Sequence, residues 1–331
     1  MNRETAEKVL HYIEKSPTAF HAVQNLKKEL EDRGFVRLME NERWDLQPGA
    51  KYYVTRNHSS IISFVLPAEK PDGFRLIASH SDSPCFKLKI DPEINSAGNC
   101  IRLNVERYGG MINASWFDRP LSVAGRIFVS HGQQLTELLV NLDRDLLVIP
   151  SLAIHMDPRT NKGIEYNIQN DMLPVLAQSP LPSEETADDV IMMNLLAGQA
   201  GVDPEDIHGS DLFVYNRMLP FFWGADREYI AGPRLDDLEC CYSTFLGFLE
   251  SCSTTPEHRF VRVHAVFDNE EVGSGTAQGA DSTFLSEVME RISLGCGCGR
   301  EEYIAQVASS FMLSADNAHA ITLAIRKRLT R

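Results

Sequence analysis

Near the N-terminus apolar residues recur at helical spacing and predict two amphipathic helices, Arg3 to Glu14 and Thr18 to Arg33. The stretch "SPT" opens the second, with Ser16 or Thr18 as its cap, and Gly34 closes it. In "KYYVTRNHSSIISFVL" the pattern changes to two strand-like runs around a turn at Asn57 to Ser59. Next comes "FRLIASHSDSP", a short apolar strand that runs directly into His80 and Asp82. From about Asp91 to Pro220 short strands, glycines and loops dominate, with one polar, acidic stretch, "SPLPSEETADDV". Helix–strand alternation then returns as a helix from about Asp237 to Ser251, the strand "RFVRVHAVF", a helix around Asp281 to Ile292 and the strand "SSFMLSA". Such alternation predicts an open, layered α/β domain, and the middle reads as a module inserted into it. The expected division is 1–90 and 221–331 for the layered domain and 91–220 for the β-rich insert.

Composition supports this division without changing it. With 331 residues, 43% hydrophobic and 24% charged, the chain can bury one large core or two moderate ones. No apolar run reaches the roughly 18 residues of a membrane span, and "MNRETAEKVLHYIEKS" lacks the layout of a signal peptide. A cytoplasmic protein is expected. The formal net charge of -14 argues against nucleic acid as a partner, and any acidic ligand would need a local basic pocket. Seven irregularly spaced cysteines read as reduced thiols. In "GCGCG", Cys296 and Cys298 stand too close for a structural zinc pair, so a glycine-rich turn is expected there.

Four clusters of acidic or imidazole residues lie at the ends of predicted elements: "SHSDSP", "PRLDDLE", "FDNEEVGSG" and "LSADNAHA". Each has an ordinary structural explanation by itself, since Asp236 and Asp237, or Glu270 and Glu271, suit a helix N-terminus where the dipole favours negative charge. Sites in open α/β sheets, however, gather at the carboxyl ends of strands, so separated strand ends can converge. One imidazole among several carboxylates is the ligand set of a hydrolytic zinc-type site, and crowded carboxylates require a cation. A metal pair about 3.5 to 4 Å apart, sharing a carboxylate and a water, would supply both the nucleophile and a clamp on the transition state. Adjacent glutamates could then divide the work, one ligating and the other acting as base.

Taken in order, "SPTAFHAV", "HSDSPCFKLK", "WFDRPLSVAGRI", "IPSLAIHMD", "RLDDLE", "DNEEVGSGTAQGA" and "SADNAHA" resemble the aspartyl aminopeptidase family of dinuclear-metal aminopeptidases, its bacterial-type members in particular. The resemblance implies a three-layer α/β/α catalytic domain with a mixed sheet, split by an inserted β-rich dimerisation domain. It implies two divalent metal ions, Zn2+ first with Co2+ or Mn2+ as substitutes, held by His80, Asp236, Glu271 and Asp316, with Asp236 bridging. Asp82 would orient His80, and Glu270 would act as general base on a metal-bridged water. His155 would reach a neighbouring subunit's active site to steady the tetrahedral intermediate. Asp237 stands where many relatives have asparagine. His319, three residues beyond Asp316, has another use in the family's pattern, while His264 and His21 read as packed residues. The expected substrates are peptides with a free N-terminus, those beginning with Asp or Glu among them, and the expected assembly is a dimer or a dodecamer of dimers.

One departure accompanies the resemblance. Members continue well beyond "SADNAHA", and that continuation supplies a last metal-ligating histidine and the final strands of the sheet, so a C-terminally truncated member is expected. One choice of codons for "ITLAIRKRLTR", read in another frame, gives a family-like continuation, which places a change of frame at Ile321 or Thr322; the nucleotide sequence tests it. Two functions follow as expectations: a working metallo-aminopeptidase, or a catalytically impaired form that retains only dimerisation. A metal-dependent phosphoesterase or amidase is disfavoured by the length of the ordered match.

Overall fold

The computed structural model describes residues 2–97, 99–132, 134–158, 160–178, 190–253 and 259–319; the tail on which the change-of-frame expectation rests lies outside them. Helices α1 (Arg3–Lys15) and α2 (Ala19–Asp32) begin the chain, and each turns one apolar stripe inward: Val9, Leu10 and Ile13 from the first, Val23, Leu26 and Leu30 from the second. Asn2 caps α1 by accepting the Glu4 N–H. Thr18 stands at the cap of α2, but its hydroxyl bonds the His21 ring at 2.9 Å instead. Strands β1 (Val36–Leu38), β2 (Lys51–Arg56), β3 (Ser60–Val65) and β4 (Gly73–His80) follow.

The chain then enters a second sheet through β5 (Cys85–Ser96), β6 (Cys100–Tyr108), β7 (Leu121–His131) and β8 (Gln134–Asn141). The short helix α3 (Ile168–Asp171), β9 (Val175–Gln178), α4 (Ile191–Ala200) and β10 (Ile207–Asn216) complete it. The strand order is β8-β7-β10-β5-β6-β9 and every pairing is antiparallel. Phe86, Leu103, Val105, Val123, Ile127 and Val214 share a core with Met192 and Leu196 of α4. The sheet changes between His80 and Cys85, earlier than the composition shifts at about residue 91. The first residues of β5 still alternate apolar and basic, with Phe86 and Leu88 inward, so their composition resembles the strand before them.

A small hairpin, β11 (Phe221–Trp223) with β12 (Tyr229–Ala231), leads back to the first sheet through α5 (Leu235–Ser251), β13 (Phe260–Phe267), α6 (Phe284–Gly295), α7 (Arg300–Ala308) and β14 (Phe311–Ser314). That sheet runs β1-β2-β3-β13-β4-β14 and is mixed, with β3 antiparallel to both β2 and β13. Helices lie on both faces: α1, α2 and α5 pack on Tyr53, Ile61, Val65 and Val266, while α6 packs on Val54, Ile62, Phe64 and Val263. The sequence pattern missed α7, because that helix buries Gln306 and carries no apolar stripe. At one end of the sheet β13, β4 and β14 are parallel neighbours, so their carboxyl ends emerge side by side.

Arg126 of β7 joins the two sheets. It is 8% exposed and donates to Asp211 Oδ2 (2.8 and 3.0 Å), Glu137 Oε2 (3.0 Å), and the Asn57 carbonyl and side chain (3.1 and 3.0 Å). Its guanidinium also lies over the Phe20 ring of α2 at 4.3 Å. Burial pushes the Glu137 and Asp211 carboxyls up, but His58 and Arg126 at Glu137, and Arg126 and Lys87 at Asp211, outweigh it and hold both below their ordinary values. This stabilisation is therefore present above the ordinary carboxylate range and lost as pH falls through the lowered values. Arg126→Leu removes the cation that the two half-buried carboxylates share, leaving Asp211 with Lys87 and Glu137 with His58, and is expected to cost about 3 kcal/mol, read from denaturant unfolding at neutral pH.

Candidate metal centre

The parallel alignment of three strands positions the site. β4 ends at His80, Phe267 of β13 lies in register beside it, and Ser314 of β14 lies beside Ala78 with Asp316 two residues on. The N-terminus of α5 brings Asp236 and Asp237 to the same end. Ligand atoms of His80, Asp236, Asp237 and Asp316 all fall within 4.8 Å of one another. His80 Nε2 is 3.5 Å from Asp236, 3.9 Å from Asp316, 3.9 Å from Glu270 and 4.0 Å from Asp237. On the other side of the ring, Nδ1 lies 3.2 Å from Asp82 Oδ1 and 3.1 Å from its carbonyl. Both oxygens are acceptors, so Nδ1 carries a proton and Nε2 is the nitrogen that faces the carboxylates, where a proton or a metal ion can bridge to them.

Electrostatics show what this arrangement lacks. Among the described residues no lysine or arginine forms an ion pair with Asp82, Asp236, Asp237, Glu270, Glu271 or Asp316. Protons take the place of a cation. Burial pushes Asp237 up to about 7, and burial together with the Asp82 charge does the same to Glu271. Asp236 is raised by burial, opposed by His80 and reinforced by Asp316. Burial lowers His80, but its hydrogen bond to Asp82 and the charges of Asp82, Asp237 and Glu270 outweigh this and raise it to about 9. A buried imidazole with a fixed tautomer among mutually repelling carboxylates fits a divalent cation.

Asp82 organises more than the imidazole. Its Oδ1 accepts the Glu270 N–H at 3.2 Å and its Oδ2 the Glu271 N–H at 3.1 Å, holding the turn of residues 270–272 against β4. Asn269, before that turn, has φ 64°, a left-handed conformation that asparagine tolerates. Gly109 of the insert approaches from outside with φ +76°, and a Cβ there would lie 2.9 Å from Glu271 Cβ. Only glycine lets the insert pass so close.

His80, Asp236 and Asp316 thus come together. Asp237 completes the group of four, whereas Glu271 lies outside it. Asp237 is fully buried and accepts the His80 backbone N–H at 3.1 Å, a role that an asparagine carbonyl fills equally. His319 is exposed and outside the group. His155 sits in an exposed turn and makes no hydrogen bond or ion pair with the cluster of its own chain. His264 is packed between Phe245 and Phe248 and pushed down to about 3 by burial; His21 is pushed down to about 4 by burial and the Arg234 charge. Cys85, Cys240, Cys241, Cys252, Cys296 and Cys298 are free thiols. Sequence reasoning missed Arg234, Tyr108 and Asn269. Arg234 lines a cavity of about 240 Å3 next to the centre, together with Ser16, Ser83, Cys85 and Trp116.

A family model described as aminopeptidase I zinc metalloprotease (M18) matches residues 12–323. The chain belongs to the M18 family. Its similarity to the "Probable M18 family aminopeptidase 2" of Clostridium novyi is 40% identity over 321 residues, covering 96% of this chain and 72% of the relative. The aspartyl aminopeptidase 1 of Schizosaccharomyces pombe is 38% identical over 335 residues, with 94% and 70% covered. A chain in the cryo-EM structure of the Ape4 and Nbr1 complex superposes with a TM-score of 0.92 at 36% identity, with 98% of this chain and 66% of that one covered. The S. cerevisiae mApe1 dodecamer gives a TM-score of 0.82 at 25% identity, with 97% and 73% covered. By lineage this is an M18 metallo-aminopeptidase related to Ape1 and Ape4, a mixed α/β fold with an inserted β-sheet region and a His–Asp cluster able to bind metal. Among the described residues no helix is long and apolar enough to cross a membrane.

Proposed function

We propose that this chain hydrolyses the N-terminal residue of peptides in a metal-dependent reaction, as an aminopeptidase of the aspartyl type. The observation that carries the reading is the position of His80 Nε2, within 4.0 Å of four carboxylates with its opposite nitrogen fixed by Asp82. His80, Asp236, Glu271 and Asp316 would hold two divalent ions, Zn2+ in the first instance, with Asp237 adjoining. When bound, such ions polarise the scissile carbonyl and lower the pKa of a water. Asp82 keeps the imidazole in its ligating tautomer. Glu270, whose backbone is held by Asp82 and whose side chain is half-exposed, accepts a proton from the attacking water and returns it to the leaving amine.

Preference for an acidic N-terminal residue is supported by Arg234. Its guanidinium donates to three backbone carbonyls, those of Ile13, Ser16 and Asn216, and among the described residues it has no carboxylate partner. It therefore offers an uncompensated positive charge to the adjoining cavity. Placing His155 at a neighbouring subunit's centre is supported by the exposed Leu152, Ile154 and Met156 around it, an apolar patch suited to a subunit interface. Dimerisation through the insert, a larger assembly like that of S. cerevisiae mApe1, and a cytoplasmic setting belong to the same proposal.

The test is an assay of the purified chain on aminoacyl substrates with free and blocked N-termini. Cleavage of the free substrates alone, strongest for Asp and Glu, abolished by a chelator and restored by Zn2+, Co2+ or Mn2+, is the expected result. Cleavage that ignores blocking or chelation overturns it. One observation favours the impaired form: among the described residues β14, which leads to Asp316, pairs only with β4 at the sheet edge and leaves Phe311, Met312 and Leu313 exposed. An exposed edge strand is a loosely held one. Metal analysis separates the readings, because two tightly held ions per chain support the working enzyme and fewer than one supports the impaired form.

A further inference from the structure

Tyr108 ends β6 of the insert, yet its hydroxyl lies in the hydrolytic centre of the other sheet. Asn269 fixes its orientation. The Asn269 side-chain oxygen accepts from Thr276 Oγ1 and Gln278 Nε2, both at 2.7 Å, so its Nδ2 is the atom that faces Tyr108, at 2.8 Å. The tyrosine oxygen accepts that hydrogen bond, and its O–H is left to donate to Asp82 Oδ2 at 2.7 Å. Burial and the Asp82 charge push the phenol well above its ordinary range, so it stays a neutral donor. The ring is set edge-on against Phe213 of β10 at 5.8 Å, and Phe213 packs on Phe20 of α2 at 6.3 Å. Gly109, the next residue, brings the backbone against Glu271.

We propose that Tyr108 is a positioning residue for hydrolysis, through which the inserted sheet fixes Asp82 and thereby both the His80 ring and the Glu270–Glu271 turn. This rests on the roles proposed above for His80 and Glu270. Asp82 makes four directed hydrogen bonds, to His80 Nδ1, the Glu270 and Glu271 N–H groups and Tyr108, and the phenol is the one that reaches it from the other sheet. A carboxylate held from all these directions cannot rotate, so the ligating nitrogen and the base keep their separation. Without the phenol, Oδ2 loses its shortest bond and the amide of Asn269 loses its acceptor.

Tyr108→Phe removes the oxygen and keeps the ring against Phe213. It is expected to lower kcat about 10–100-fold with KM within about twofold, and to raise the zinc dissociation constant about 10–100-fold. The absorption spectrum of the Co2+-substituted enzyme should shift, while the melting temperature of the metal-free protein stays near wild type. Asn269→Gly, compatible with the left-handed backbone there, should act in the same direction and decides the matter if Tyr108→Phe fails to fold. Wild-type kcat, zinc affinity and Co2+ spectrum in the folded variant overturn the proposal. A parallel Glu270→Gln variant separates the two levels. If it is inactive while Tyr108→Phe is normal, only the positioning role fails; if it too is fully active, the general-base role of Glu270 fails with it and the base lies elsewhere, while loss of free-N-terminus cleavage from the wild-type enzyme would be needed to overturn hydrolysis itself.

Discussion

Glu270→Gln is expected to reduce turnover about 10²–10⁴-fold while leaving metal content and KM close to wild type. Glutamine matches glutamate in shape and keeps the backbone N–H that Asp82 holds, but its amide cannot take up a proton near neutral pH. The half-exposed carboxylate of Glu270 lies 3.9 Å from His80 Nε2, at the rim of the cluster, where a water can reach both the base and a bound cation. Removing proton transfer and nothing else is a loss in kcat rather than in binding. Steady-state kinetics with zinc titration checks it. Normal kcat in the variant would move the base elsewhere, Glu271 being the first alternative.

Metal removal is the second large effect, and its size is expected to depend on pH. Without a cation the folded centre retains protons on His80, which titrates at about 9, and on Asp237 and Glu271, at about 7. All three values lie above the ordinary ones. A raised folded value contributes stability that is complete below the ordinary value and lost as pH rises through the folded one. The metal-free protein should therefore lose stability as pH rises through 7 toward 9, as charges build up without a partner. A divalent ion supplies that partner, so the gain in melting temperature on adding zinc should grow between about pH 6 and pH 9. At a free metal concentration 100 times the dissociation constant the gain is about 2.7 kcal/mol. Because binding displaces these protons, calorimetry in buffers of different ionisation enthalpy should record proton release, and affinity should fall toward acid pH. A stabilisation that stays flat across this range would show that the cluster does not hold the metal.

Much of the centre was legible in the chain. His80 and Asp82 follow directly from an apolar strand, and Asp236 and Asp237 open a helix whose dipole favours acids. Asp237 shows the limit of that reading. Its neighbour alone looked like a ligand, yet it is Asp237 that is fully buried against β4 and holds the His80 backbone. Adjacent residues at a helix start point in different directions, and only the packing of α5 on β4 decides which one enters the core. Glu270 and Glu271 pose the same question, answered by the turn that Asp82 pins.

By itself the sequence determined most of the helices and strands of the layered domain, though not α7, the presence of a β-rich insert, the chemical type of the site and the family. These are local properties: hydrophobic period, capping and turn residues, and short motifs at element ends. Tertiary structure decided which motifs meet. Glu270 and Asp82 are 188 positions apart, and Tyr108 and Asn269 are 161 apart. Their contact depends on β4 lying between β13 and β14 and on the inserted sheet closing against that same end. Periodicity records that a strand is buried but not which strand lies beside it, because many pairings bury the same apolar face. For that reason the imidazole of the cluster could be read from the chain, whereas the phenol that reaches Asp82 from the other sheet could not.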